Sequence, residues 1–324
     1  SIIKILNKTT KHFHQLNIMP IITAPKNINS PPDNKDQQQN KKNNHMDFQL
    51  SEPRYQLSDI VANNSTLAEI ESLISLKDNF DHVFRIMGFS ETHKYSNKFI
   101  INFYGEPGTG KTITAHAIAS KLNKKILEVD YSAIESKYVG DTPKNLKSIF
   151  DFAKNENCII FFDEADAILS RRVTNMQSAT DTSVNQTRSV LLNILNNFEG
   201  DIIFATNFIS NYDPAFMRRI SKHIFFELPN EETRYFLFKK YLPKQLHANR
   251  DFSEFSKISD QLSAADIEKI CLMAGFQSAH EKKKIIDSLE IKKQIANIKR
   301  SKAANQQFTE NIKTRILDRK STRL

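Results

Sequence analysis

Eight consecutive residues hold the densest chemistry in this sequence: Gly105-Glu106-Pro107-Gly108-Thr109-Gly110-Lys111-Thr112. The chain has 324 residues and seven glycines, and three of those glycines fall in this one stretch. Such a concentration marks a loop that needs backbone conformations other residues resist. The spacing is G-x-x-x-x-G-K-[ST], in which successive N–H groups curl around phosphate oxygens. In that geometry Lys111 reaches the β- and γ-phosphates of a nucleotide, and the Thr112 hydroxyl ligates Mg²⁺. The apolar run Phe99 to Tyr104 precedes the loop, and Ile113, Ala117, Ile118 and Leu122 follow at helical spacing. A strand feeding a loop that opens a helix adds a favourable helix dipole at the phosphates.

A second cluster is Cys158-Ile159-Ile160-Phe161-Phe162-Asp163-Glu164, an apolar run closed by two acids. Adjacent carboxylates at the C-terminal end of a buried strand are costly unless they have a task, and ligands bind at that edge of an open α/β sheet. Asp163 is expected to hold Mg²⁺, and Glu164 to act as general base on an attacking water. Read alone, the pair is also what solvated acids at a strand end look like. A third run, Asp201 to Ala205, leads into Thr206-Asn207. Asn207 there either orients a lytic water or is an ordinary turn residue.

These groups require a scaffold, and the hydrophobic pattern describes one. Five short runs rich in β-branched and aromatic residues occur at Phe99 to Tyr104, Ile126 to Val129, Cys158 to Phe162, Ile202 to Ala205 and Ile224 to Leu228. Each is followed by a polar or helical stretch, such as Val190, Leu191, Ile194, Leu195 and Phe198. The expected fold is α/β: a P-loop, doubly wound, parallel five-stranded sheet. After Leu228 the pattern turns helical. Pro229-Asn230-Glu231-Glu232 reads as a helix start, and Ile267, Ile270, Cys271 and Ala274 mark a later helix of a small C-terminal helical domain.

The remaining segments bound the function. Residues 1–50 read as an extension, disordered or partner-binding, because Pro25 to His45 is dominated by Pro, Asn, Gln and Lys. The expected divisions are 51–229 for the α/β domain, 230–300 for the helical domain and 301–324 for a basic tail. No apolar run approaches the roughly 18–20 residues needed to cross a bilayer. Cys158 and Cys271 are the two cysteines, too few for a disulfide framework or a thiolate zinc site. A reducing, cytoplasmic setting is expected, and a nuclear one also fits. The net charge of +9 is concentrated in Glu281 to Leu324, which holds 13 Lys/Arg against 5 Asp/Glu. His280-Glu281-Lys282-Lys283-Lys284 lacks the second histidine of a zinc-protease helix.

Taken together, the ordered motifs from Tyr55 to Ala279 resemble the AAA ATPases of the wider AAA+ class. Residues 105–112 and Asp163-Glu164 match that family's Walker A and Walker B motifs, and Thr206-Asn207 matches its sensor 1. Asp213-Pro214-Ala215-Phe216-Met217-Arg218-Arg219 resembles the second region of homology, which ends in arginine fingers. Ser263-Ala264-Ala265-Asp266 resembles the Ser-Gly-Ala-Asp start of the lid helix, putting Ala265 at the nucleotide. Asp59-Ile60-Val61 resembles the entry segment that lies against adenine. Lys137-Tyr138-Val139-Gly140 resembles the first pore loop, and the polar stretch Arg171 to Val184 is a candidate second one. The resemblance implies an ATP- and Mg²⁺-dependent ATPase with catalytic Glu164, Asn207, Arg218 and Arg219. It also implies a homo-oligomeric, hexameric ring whose Tyr138 loops grip a client protein, with an adaptor as a further partner and no membrane role.

Two features depart from the pattern. Arg218-Arg219 is followed by Ile220-Ser221 rather than Gly-Arg, and a single ATPase cassette stands without an evident substrate-recruiting domain, residues 1–50 reading as too short and too polar for one. Ala264-Ala265 stand where other AAA+ branches carry a lid arginine, which places more weight on Arg218 and Arg219. The alternative reading is a nucleic-acid-associated AAA+ loader or initiator acting through the basic tail.

Overall fold

The computed structural model describes residues 50–93, 98–130, 142–169, 179–207, 212–246 and 251–321, with backbone alone for 142–143, 167, 179–184, 246 and 306–321. The extension before residue 50, the Lys137-Tyr138-Val139-Gly140 loop and residues 170–178 lie outside the described residues.

The elements run β1 (Leu50–Ser51), α1 (Asn64–Asp78), β2 (Phe99–Tyr104), α2 (Lys111–Lys121), β3 (Ile126–Asp130), α3 (Thr142–Glu156), β4 (Ile159–Asp163), α4 (Asp166–Leu169), α5 (Ala179–Asn197) and β5 (Asp201–Thr206). They continue as α6 (Pro214–Met217), β6 (Lys222–Phe225), α7 (Glu231–Tyr241), α8 (Ser253–Ile258), α9 (Ala264–His280) and α10 (Ser288–Ser321). The sheet order is β1-β3-β4-β5-β2-β6. The five longer strands pair in parallel, and β1 adds an antiparallel edge through Leu50↔Leu127 and Ser51↔Ile126. The sheet therefore has six strands rather than five. A two-residue strand carries too little periodicity to be visible in sequence.

Strand burial explains the unbroken apolar runs. In β4, Ile160 and Phe162 pack with Leu146, Phe150, Leu191 and Leu195 on one face. Ile159 and Phe161 alternate to the other face, against Ile70, Leu73 and Ile118. Residues of both parities are needed because helices cover both sides.

Strand β6 departs from the expected Ile224 to Leu228. It pairs with β2 from Lys222 to Phe225, and the chain then peels away. The Phe226 N–H still bonds the Tyr104 carbonyl at 2.7 Å. Beyond it, the Leu228 carbonyl accepts from the Asn63 amide at 3.0 Å. The polar partner on α1's N-cap residue, not the sheet ladder, takes the last apolar residue of that run.

The C-terminal helices enclose their own core of Leu237, Phe238, Phe252, Phe255, Ile267, Ile270, Cys271, Ile291 and Ile295. Helix α7 starts where expected: Asn230 accepts from the Thr233 N–H at 2.8 Å, with Glu231 and Glu232 in the first turn. The basic tail is continuous with α10, a single 34-residue helix.

Candidate functional site

Strand β2 ends at Tyr104, and the chain turns through the glycine-rich loop into α2. Gly105 has φ +140, and a Cβ there would collide with the Phe226 carbonyl oxygen. Gly108 has φ +75, and a Cβ would lie 2.8 Å from both the Ala265 methyl and the Ser263 hydroxyl. The first glycine lets the loop pass under the chain leaving β6, and the second lets the helical domain close onto the loop. That closure is hydrogen-bonded: the Ala265 N–H donates to the Gly108 carbonyl at 3.1 Å. Helix α9 is held there by a reciprocal cap, in which Ser263 Oγ accepts from the Asp266 N–H and Asp266 accepts from the Ser263 N–H at 2.8 Å.

At the first turn of α2 the Lys111 ammonium donates to the Gly105 carbonyl at 2.7 Å, the Glu106 carbonyl at 3.0 Å and Asn207 Oδ1 at 3.3 Å. Burial pushes the Lys111 amine below its ordinary range, opposed by Asp163, Asp166 and Glu106. The Thr112 hydroxyl donates to Asp163 Oδ2 at 3.1 Å, so α2 and the end of β4 meet at this pair. The other Asp163 oxygen accepts from the Glu164 N–H at 2.9 Å. Glu164 has φ 50, a left-handed conformation that costs a non-glycine residue about 1–2 kcal/mol. The turn takes its carboxylate out of the strand direction and onto the cleft wall. Strained backbone of this kind concentrates at functional sites.

The cleft has a volume of about 300 Å³. Among the residues singled out from sequence, it is lined by Pro107, Gly108, Gly110, Lys111, Thr112, Asp163, Glu164, Asn207 and Ala265. Ile60 and Val61 line a smaller, adjoining recess with Thr109, Gly110, Ile113, Leu237, Tyr241 and Ala264. Thr109 also braces the loop, its hydroxyl donating to the Glu106 carbonyl at 2.8 Å.

Arg218 and Arg219 are not brought to this cleft. Asp213 caps α6 by accepting from the Ala215 N–H at 2.8 Å, and the two arginines follow the helix end. Their environments differ. Arg219 is tied to its own domain, donating to Asn196 Oδ1 at 2.8 Å and to the Ala215 carbonyl at 2.7 Å. Arg218 is exposed and has no side-chain hydrogen bond or ion pair to a described residue.

Three residues in or behind the cleft wall are not marked by the sequence reading. Asp166 accepts from the Asn207 N–H through both oxygens, at 3.0 and 3.2 Å, and thereby fixes the residue after β5. Its signal was available, three positions after Asp163. Tyr241 and Glu268 line the cleft from α7 and α9. Glu268 could have been found from its position one helical turn after Ala264.

The arrangement suits a nucleoside triphosphate. A buried ammonium faces the cleft with neutral oxygens as its hydrogen-bond partners, and loop N–H groups lie at the start of a helix. A hydroxyl and a carboxylate 3.1 Å apart supply hard oxygen donors of the kind Mg²⁺ prefers. The parallel α/β sheet, the phosphate loop and the capped helical domain closing on it define a P-loop nucleotide-binding protein.

Comparison with known proteins narrows the class. Residues 101–228 match the family described as "ATPase family associated with various cellular activities (AAA)". This stretch of the chain is an AAA-type ATPase domain. It is 39% identical over 193 residues to the protein named "Probable 26S proteasome regulatory subunit 10B" of Caenorhabditis elegans, covering 57% of this chain and 47% of that protein. It is 38% identical over 180 residues to "26S proteasome regulatory subunit 10B" of Dictyostelium discoideum, covering 53% and 46%. Against "26S proteasome regulatory subunit 4 homolog B" of Arabidopsis thaliana it is 37% identical over 198 residues, covering 59% and 44%. The chain thus spans about half the length of the curated relatives it matches. No helix among the described residues is long and apolar enough to cross a membrane.

Proposed function

We propose that this chain hydrolyses ATP to remodel, unfold or disassemble client proteins, threading them through the pore of a ring formed by copies of itself. The observation that carries the ATPase chemistry is the Thr112–Asp163 contact beside the strained Glu164 turn, facing Lys111 across one cleft. In this reading the loop from Gly105 to Thr112 cradles the phosphates, and Lys111 exchanges its carbonyl partners for β- and γ-phosphate oxygens. Thr112 and Asp163 would hold Mg²⁺, which when bound neutralises charge on the phosphates. Glu164 takes a proton from the attacking water, and Asn207, fixed through its N–H by Asp166, orients that water. The adenine lies against Ile60 and Val61, with Ala265 closing the site from the lid.

The exposure of Arg218 supports the ring reading. Arg218 stands exposed outside its own chain's cleft, so it supplies positive charge to the cleft of a neighbouring copy. The names of the relatives support a role in protein handling. Tyr138 would grip the client through a flat apolar ring that accepts many side chains. A cytoplasmic or nuclear site of action accompanies this reading, with an adaptor as a candidate partner.

The test is Glu164→Gln. It is expected to keep ATP affinity within a few fold while lowering kcat by roughly 10²–10⁴-fold, the range for loss of a general base. Trapped with ATP, this variant should retain client proteins, and adding Tyr138→Ala should release them. Turnover at the unsubstituted rate would remove Glu164 from the mechanism. Clients held equally with and without Tyr138→Ala would remove the threading step.

A further inference from the structure

We propose that Glu268 reads the ribose of the bound nucleotide: its carboxylate accepts hydrogen bonds from the 2′- and 3′-hydroxyls, so the site prefers ribonucleotides to 2′-deoxyribonucleotides. This rests on the ATP reading given above. The phosphate cleft and the recess beside Ile60 and Val61 share four wall residues, Gly110, Ile113, Tyr241 and Ala264. A nucleotide with phosphates in the cleft and its base against Ile60 and Val61, where the recess of about 20 Å³ must widen to admit it, puts its sugar at that shared wall. Glu268 follows Ala264 by four positions on α9, on the same helix face and one turn along, and lines the cleft beside Tyr241.

A carboxylate in this position poses a physical problem. It is an acceptor without a proton to donate, so it gains nothing from phosphate oxygens and is repelled by them. Glu268 has no hydrogen bond or ion pair to any described residue that would occupy it instead. The groups a nucleotide offers as donors are the ribose hydroxyls and the exocyclic amine of the base. The amine belongs with the base in the recess, where Glu268 does not form part of the wall. The vicinal diol remains, and a carboxylate accepting from a ribose 2′-hydroxyl is a recurrent solution in nucleotide sites. Tyr241 is suited to the same place. Burial first, and then the neighbouring Glu268, push its hydroxyl up to about 12, so it stays a neutral donor at working pH.

The experiment measures dissociation constants of the full chain for ADP and 2′-deoxyADP, which avoids turnover during titration. The unsubstituted chain should bind ADP roughly tenfold more tightly, the size of one charge-assisted hydrogen bond. Glu268→Ala should weaken ADP about tenfold more than 2′-deoxyADP, which loses only its 3′-hydroxyl bond to the carboxylate, and so erase the preference. Glu268→Gln, which keeps one acceptor oxygen, should give an intermediate ratio. Because the side chain is exposed, all three proteins should melt together. Equal affinity for the two nucleotides in the unsubstituted chain overturns the proposal, as does Glu268→Ala tightening both equally, which would mean the carboxylate acts by repelling phosphate. If neither nucleotide binds the unsubstituted chain, the ATP reading itself fails, a result distinct from binding without sugar preference.

Discussion

At the scale of single residues, the two consecutive arginines illustrate how one sequence motif divides into different environments. Arg219 is committed to Asn196 and the Ala215 carbonyl, so it joins the end of α6 to the end of α5. Arg218 has no such tie and is exposed. Arg219→Ala is therefore expected to lower stability by about 1 kcal/mol, the net worth of hydrogen bonds at a partly exposed site. Thermal or denaturant unfolding would check it. Arg218→Ala should leave the melting temperature unchanged and reduce kcat at least tenfold with ATP affinity preserved. An unfolding shift for Arg218→Ala as large as that for Arg219→Ala would contradict the division.

At the scale of elements, the join between α9 and the phosphate loop carries a pH dependence. Asp266 closes the capping box of α9, and Lys302 of α10 reaches the same carboxylate at 2.8 Å. Burial pushes the Asp266 carboxyl up, but Lys302 and the Ser263 N–H and hydroxyl together outweigh it and hold it below its usual range. A carboxyl lowered in the folded state contributes stability above its unfolded value of about 3.9 and loses it as pH falls through the folded value. The unsubstituted chain should therefore be more stable than Asp266→Asn at pH 7, and the difference should shrink as pH falls below about 4, measured by denaturant midpoint. A gap that is constant from pH 7 to pH 3 would exclude the ionised contact. The same helix end donates from Ala265 to the Gly108 carbonyl, so Asp266→Asn should also weaken nucleotide binding.

At the scale of the whole molecule, the end of the sheet opposite the cleft is tied by Asp201, which is 1% exposed and pairs with Lys77 at 2.5 Å and Lys124 at 2.7 Å. The two lysines come from α1 and from the turn between α2 and β3, so one carboxylate joins three segments. Asp201→Ala would leave both ammonium groups beside a buried, empty site. Removing one partner of a buried pair costs about 3–5 kcal/mol, and the partial exposure of these lysines places the expected loss near 3 kcal/mol. A denaturation midpoint shift well under 1 kcal/mol would show that water serves the lysines as well. The ring reading makes a prediction at this scale too. If each cleft is completed by a neighbour's Arg218, ATPase activity per chain should rise with protein concentration and then plateau. Mixing Arg218→Ala with Glu164→Gln, each inactive alone, should restore part of the activity, because an Arg218→Ala cleft with its own Glu164 is completed by its neighbour's Arg218. Activity independent of concentration, together with no restoration in the mixture, would mean that a single chain suffices.

Much of the site was legible in sequence because its chemistry is local. Residues 105–112 are contiguous, and both the fold of the loop and its donors follow from glycine placement and the following helix. Asp163-Glu164 is likewise marked by an apolar strand that ends in charge, a pattern dictated by burial on both faces. The five parallel strands could be read for the same reason. The short β1 edge, the departure of β6 after Phe225 and the positions of Tyr241 and Glu268 could not be read, since each depends on partners distant in the chain. Leu50 pairs across to Leu127, Leu228 is claimed by Asn63, and Glu268 reaches the cleft because α9 closes on Gly108. Sequence alone thus singled out the phosphate-loop residues and the two acids that the structure brings to one cleft. Only the tertiary structure decided that Arg219 is anchored while Arg218 is exposed, and that Glu268 lines the cleft. Those outcomes are set by long-range packing and hydrogen bonding, which no local periodicity encodes.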